Sequence, residues 1–284
     1  MTKPIKSPLN YIGGKTKLLP QLLPLFPDNI TTFVEPFCGG YNVGINVKAE
    51  RYFAFDVNSY LVELLQYMKD HDFDSICKEV EHTIDLYGLS LDNQAGYNKL
   101  RSDYNASKNP GTLFVLICYC FNHQIRFNNK LDFNTPFGKA RSEFNENIKR
   151  NLKLFCEELK KQEVTFASGD FIKASEITLD KGSFVYCDPP YFITTGSYND
   201  GTRGFGDWTD ECDQRLIDYL DELNSKGIKF GLSNVFVHKG QENTRLKDWA
   251  AKYNVHIMNM NYNNSNYHSS AKEYDTIEVF VTNY

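Results

Sequence analysis

A cysteine framework is missing from this chain of 284 residues. Its seven cysteines, Cys38, Cys77, Cys118, Cys120, Cys156, Cys187 and Cys212, are odd in number and include no C-x-x-C pair, which argues against both a disulfide scaffold and a zinc site. They read as reduced thiols of a cytoplasmic protein. Lys3 and Lys6 are followed by no apolar h-region, so no secretory signal is expected. The longest apolar run, residues 113–121, is too short to cross a bilayer. Internal repeats and low-complexity segments are also lacking. An excess of positive charge is lacking: 31 Lys and Arg stand against 36 Asp and Glu, and the net charge of −5 taken whole disfavours a polyanionic partner. Residues 101–150 depart from that balance, with eight Lys/Arg against four acids, so this third carries +4 and the remainder −9. Any nucleic-acid face is expected there.

What the chain has in quantity is apolar residues, 41% against 24% charged, which suits a globular α/β domain with a sizeable insertion. Residues 32–35 and 51–56 read as short buried strands. A second set follows at 164–167, 184–187, 229–232, 255–260 and 277–282, with helical patterns such as 210–223 between them. That alternation predicts βαβ units and a mostly parallel sheet. Residues 60–155 break the rhythm with a mainly helical stretch opening at the capping candidates Asn58 and Ser59. Inside it, Asn128-Asn129 and Asn134-Thr135-Pro136 carry turn chemistry suited to a hairpin or an ordered loop.

Asp188-Pro189-Pro190-Tyr191 follows the strand 184–187 directly, at the carboxyl end of a strand where open α/β sheets bind ligands. Two prolines stiffen the backbone and leave carbonyl oxygens without competing N–H donors, and Asp188 adds a second acceptor. An exocyclic amine is a poor nucleophile because its lone pair is delocalised into the ring. Two acceptors on its hydrogens aim that lone pair at an electrophile such as a sulfonium methyl, which is catalysis by orientation and needs no metal. The ring of Tyr191 offers a platform for a base taken out of the duplex.

With these residues the chain resembles the Dam-like, D12 class DNA adenine N6-methyltransferases, in which an N-terminal cofactor motif, a glycine-containing motif, a target-recognition insertion and D-P-P-Y follow in that order. The resemblance spans most of the chain. It implies a Rossmann-like α/β methyltransferase with residues 1–58 and 156–284 as the S-adenosylmethionine-binding catalytic domain and 59–155 as a mainly helical target-recognition insertion. It also implies double-stranded DNA as partner, and a restriction endonuclease acting on the same site without a stable complex. Asn10-Tyr11-Ile12-Gly13-Gly14-Lys15 looks like the family's first motif, whose aromatic residue and lysine, here Tyr11 and Lys15, contact the cofactor. Phe33-Val34-Glu35-Pro36-Phe37-Cys38-Gly39-Gly40 resembles its first cofactor loop, with Phe37 and Gly39 at the ligand, although Tyr41 stands where the family has a small residue. Asp56 ends the next strand at the distance of an acid that meets ribose hydroxyls. Asp170 and Phe171 resemble the segment that meets the cofactor's adenine ring, and Asp188 completes the cofactor set. Residues 121–128 and 133–139 resemble the DNA-contacting hairpin and loop, with Asn122, Arg126 and Asn128 able to reach base edges and Lys139 a phosphate. The competing expectations are methyl transfer to RNA adenine, cytosine N4 or a protein glutamine, and a DNA-binding module without turnover.

Overall fold

In the computed structural model, residues 3–194, 205, 207–259 and 276–284 are described. Helix α1 (Leu19–Leu22) precedes strands β1 (Ile30–Glu35) and β2 (Ala49–Asp56). Five helices follow: α2 (Ser59–Asp70), α3 (Phe73–Tyr87), α4 (Gln94–Ser107), α5 (Pro110–Tyr119) and α6 (Glu146–Leu159). The chain then returns to the sheet through β3 (Val164–Ser168) and β4 (Phe184–Cys187), followed by α7 (Asp210–Ser225), β5 (Lys229–His238), the two-residue β6 (Gln241–Glu242), α8 (Thr244–Ala250), β7 (Asn254–Met258) and β8 (Ile277–Thr282). The expected strand residue 260 lies outside the described residues.

The sheet runs β3-β2-β1-β4-β5-β8-β7. Its first five strands are parallel and β8 is wedged antiparallel between β5 and β7. Alternation along the strands separates the two faces. Phe33, Ala54, Phe184, Tyr186 and Phe280 point into one apolar cluster, whereas Val34, Phe55, Val185, Cys187, Val279 and Val281 point into the other, covered by α7 and α8. Side-chain oxygens fix the helix starts: Asn58 caps α2, Asp72 α3, Asn93 α4, Asn109 α5 with Pro110 at its first position, and Asn145 α6. Nearly all of α5 is buried, so the apolar run read from the sequence is an internal helix. Leu61, Leu65, Phe114, Leu116, Phe155 and Leu159 of the five helices belong to the same cluster as Phe33 and Phe184 of the sheet.

The turn-rich segment is a tight hairpin. Phe127 pairs with Phe133 and Cys120 with Phe137, each antiparallel. Asn128 builds its turn: its backbone N–H donates to Asp132 O at 2.9 Å and its side-chain oxygen accepts from Lys130 N and Asp132 N. Among the described residues, no helix is long and apolar enough to cross a membrane.

Candidate active site

The carboxyl ends of β1, β2 and β4 open on a cavity of about 280 Å³, which the N-terminal segment and the residues after β3 complete. Tyr11, Lys15, Phe37, Gly39, Asp56, Asp170, Phe171, Asp188, Pro189, Pro190 and Tyr191 all line it, so every residue expected at the cofactor or the catalytic centre meets in one place. The loop after β1 is held from β2: Cys38 N donates to Phe55 O at 2.7 Å, and Gly39 N to Asp56 Oδ2 at 2.9 Å. The other Asp56 oxygen accepts from Asn58 N at 2.9 Å, so this acid ties the loop to the start of α2 as well as facing the cavity. Gly39 adopts φ 47°, and a Cβ there would lie 2.8 Å from the ring of Tyr11. Glycine is therefore what lets the N-terminal motif lie against this loop. Tyr41 turns inward, fully buried, with its hydroxyl donating to Gln162 Oε1 at 3.0 Å. Its bulk is accommodated behind the loop.

Burial pushes the Asp56 carboxyl up from 3.8 to about 6, against the lowering effect of the Asn58 and Gly39 N–H bonds. Between those values the folded chain alone holds the proton, so its contribution to folding is complete at the acid end and lost as pH rises through about 6. The ligand-free protein should therefore show a thermal midpoint that declines more steeply with rising pH in this window than that of Asp56→Asn. Parallel slopes for the two proteins would show that Asp56 titrates as an ordinary carboxyl.

Phe37 stacks on Phe171 with centroids 5.3 Å apart, and Trp208 meets Phe37 edge-on at 5.5 Å, forming an aromatic wall. Asp170 caps the short helical turn that follows it by accepting from Ile172 N, and pairs with Arg215 at 3.0 Å. Its carboxylate is thus partly engaged before any ligand arrives.

The Asp-Pro-Pro-Tyr end of the cavity is a buried charge cluster. Lys15 Nζ lies 2.8 Å from Asp188 Oδ1 and 3.0 Å from the Gly13 carbonyl oxygen. The ammonium expected to contact the cofactor is thus paired with the acid of Asp-Pro-Pro-Tyr, both being drawn from water into one low-dielectric space. Tyr191 donates its single hydroxyl hydrogen among two acceptors, Glu278 Oε1 at 3.0 Å and Asp188 Oδ1 at 3.3 Å. Burial raises the Asp188 and Glu278 carboxyls while Lys15 opposes the rise, and burial raises Glu35 well above its ordinary value. Glu35 accepts from Gly44 N at 3.0 Å and lines the same cavity. Sequence reasoning missed Glu35, Glu278 and Trp208. The available signal for Glu278 was an acid in the otherwise apolar run 277–281.

The expected DNA-contacting residues lie apart from this cluster, on the hairpin. Arg126 donates from Nε to Asn134 Oδ1 at 2.9 Å and from Nη2 to Asn134 O at 3.1 Å, which anchors its guanidinium and leaves further donors. Asn122, with φ 55°, accepts on its carbonyl from Asn10 Nδ2 at 2.8 Å, and Asn10 also pairs with Gln124. The side-chain oxygen of Asn128 is committed to the turn, whereas Lys139 is exposed.

A mostly parallel sheet with β8 inserted antiparallel between β5 and β7, and an acid-tipped cavity at the ends of its first, second and fourth strands, defines a Rossmann-like methyltransferase fold. The chain belongs to the D12 class N6 adenine-specific DNA methyltransferase family, which it matches over residues 11–265. It is 50% identical over 280 residues to "Type II methyltransferase M.FokI" of Planomicrobium okeanokoites, covering 99% of this chain and 43% of that protein. It is 48% identical to "Modification methylase StsI" of Streptococcus sanguinis, with coverage of 99% and 43%. It is 25% identical to "DNA adenine methylase" of Escherichia coli K12, with coverage of 95% and 92%. The chain thus spans less than half the length of the first two relatives.

Proposed function

We propose that this chain transfers a methyl group from S-adenosylmethionine to N6 of adenine in duplex DNA, protecting sites of a restriction-modification system from an endonuclease with which it forms no stable complex. The observation that carries the reading is the convergence of Asp188-Pro189-Pro190-Tyr191 with the loop after β1 and the acid ending β2 on one cavity. The cavity residues fit the cofactor chemically: buried acids favour a cationic ligand, Gly39 allows close approach, and Phe37 and Phe171 offer a wall for an aromatic ring. When bound, the cofactor supplies an electrophilic methyl on sulfur. Asp188 and the Pro189 carbonyl accept the hydrogens of the target amine and so turn its lone pair out of the ring plane. Tyr191 stacks on a base flipped from the duplex. Residues 1–58 and 156–284 perform this chemistry, and residues 59–155 read the target through the hairpin.

The test supplies labelled S-adenosylmethionine and DNA and identifies the methylated base. Label in N6-methyladenine, undiminished by chelator, is expected. Label in N4-methylcytosine, in RNA or protein but not DNA, or nowhere would overturn the reading.

Within it, Arg126 and Lys139 have separable roles. Arg126→Ala should relax preference at one position of the site, a loss of about 1–3 kcal/mol in discrimination. Lys139→Ala should weaken binding to all duplexes and reduce the salt slope by roughly one unit. Affinities for the cognate duplex and its single-base variants across a salt series separate the two. A uniform loss with Arg126→Ala would make Arg126 a backbone contact.

A further inference from the structure

Glu278 occupies a position that strand packing does not explain. It lies on β8 with Val235 of β5 and Met258 of β7 as its ladder partners, next in sequence to buried Val279, and is itself only 4% exposed. A carboxylate there carries a desolvation cost that an apolar residue would avoid. What it meets is the catalytic cluster: Oε1 accepts from the Tyr191 hydroxyl at 3.0 Å and lies 3.8 Å from Lys15 Nζ. The same hydroxyl is 3.3 Å and the same ammonium 2.8 Å from Asp188 Oδ1. Two carboxylates therefore compete for one phenol hydrogen and share one ammonium.

We propose that Glu278 is a positioning residue of the methyl-transfer site, taking the Tyr191 hydroxyl hydrogen and a share of Lys15 so that Asp188 keeps its accepting capacity for the substrate amine. A phenol has a single hydrogen, and the shorter contact is to Glu278. Without Glu278 that hydrogen and the undivided ammonium both turn to Asp188 Oδ1. An oxygen already holding two strong donors is a weaker acceptor for a third. The Glu278 bond also fixes the phenol end of the Tyr191 ring, and with it the plane on which a base stacks. Glu278 touches neither substrate nor cofactor in this scheme; it acts through Tyr191 and Lys15.

The inference rests on the reading of Asp188 as acceptor for the target amine, so it is tested by two readouts. In steady-state methylation, Glu278→Gln and Glu278→Leu should lower kcat roughly tenfold or more, the loss expected for a hydrogen bond to a charged group, with the KM for S-adenosylmethionine unchanged. Glu278→Asp, which keeps the charge, should recover part of the rate. In denaturant unfolding of the ligand-free protein, Glu278→Leu and Tyr191→Phe should be non-additive, because each removes the same bond. Glu278→Leu should remain folded, since it deletes a buried charge while Lys15 keeps Asp188 as its partner.

Unchanged kcat in both the Gln and Leu variants, a defect confined to KM, or strictly additive unfolding energies would each overturn the assignment. A wild-type protein that transfers no methyl to DNA would instead refute the proposed function. The unfolding cycle would then still report whether Glu278 holds Tyr191.

Discussion

Asp188→Ala should lower the rate of methyl transfer by on the order of a thousandfold or more, the largest loss from any single side chain in the cavity. Two losses coincide in this substitution. On the proposed function the target amine loses its anionic acceptor, leaving the Pro189 carbonyl to hold it alone. Lys15, 6% exposed and 2.8 Å from the missing carboxylate, loses its closer partner and turns to Glu278 at 3.8 Å. Asp188→Asn separates these effects, because it keeps the shape and one acceptor oxygen while removing the charge. Single-turnover transfer at saturating S-adenosylmethionine and DNA is the measurement, since it isolates the chemical step. An Ala variant within about tenfold of wild type would remove Asp188 from the catalytic step. An Asn variant as active as wild type would show that an acceptor suffices without the charge.

The second large effect is expected at Tyr191. Base stacking on an aromatic ring contributes about 1–3 kcal/mol, so Tyr191→Ala should lose up to roughly a hundredfold in transfer rate through this contact alone. The sequence suggests that the hydroxyl is dispensable, because stacking needs a ring. The structure gives the hydroxyl two carboxylate neighbours, Glu278 and Asp188. Tyr191→Phe should therefore fall between wild type and Ala, roughly tenfold down, the usual scale for a hydrogen bond to a charged acceptor. Fluorescence of a duplex with 2-aminopurine at the target position reports base extrusion separately from chemistry. If Phe and Ala are equally inactive, stacking is the wrong role for Tyr191; if Phe matches wild type, the hydroxyl is idle.

The legible parts of the fold are those where apolar runs end in polar turns. The strands at 184–187 and 277–282 have the bounds read from the sequence, and α7 extends two residues past the expected helix. β5 runs on to His238, beyond the expected 232, because Ser233 and Asn234 interrupt the apolar run and yet are buried in the sheet. Ser233 is satisfied there by the Tyr186 hydroxyl at 2.8 Å, a partner 47 residues away that local patterning does not reveal. The site divides in the same way. Residues next to one another in the chain, such as Asp188 to Tyr191, carry their own signal. Glu278 comes 87 residues after Tyr191 in sequence, and only the antiparallel insertion of β8 beside β5 brings it there. Lys15 and Asp188 were both legible but their pairing was not, because the pairing of an ammonium depends on which carboxylates share its enclosure.

The hydrophobic cluster common to the sheet and the five helices bears on how target specificity can be re-engineered. Phe33 and Phe184 of the sheet share that cluster with Leu61, Phe114 and Phe155, so no solvent layer marks a seam at residues 59 and 155. Exchanging the whole helical stretch for that of a relative would pair two halves of mismatched cores, with the cavity and overpacking costs that follow. The hairpin is a better unit to transplant. Its turn closes on itself through Asn128, its strands pair locally at Phe127 and Phe133, and Lys108 anchors it from α4 side by bonding Leu131 O at 2.7 Å. A chimera cut between 121 and 139 that keeps Ile125, Phe127, Phe133 and Phe137, which belong to the shared cluster, changes the surface proposed to face DNA while leaving that core, and the cavity it supports, in the register of the parent chain.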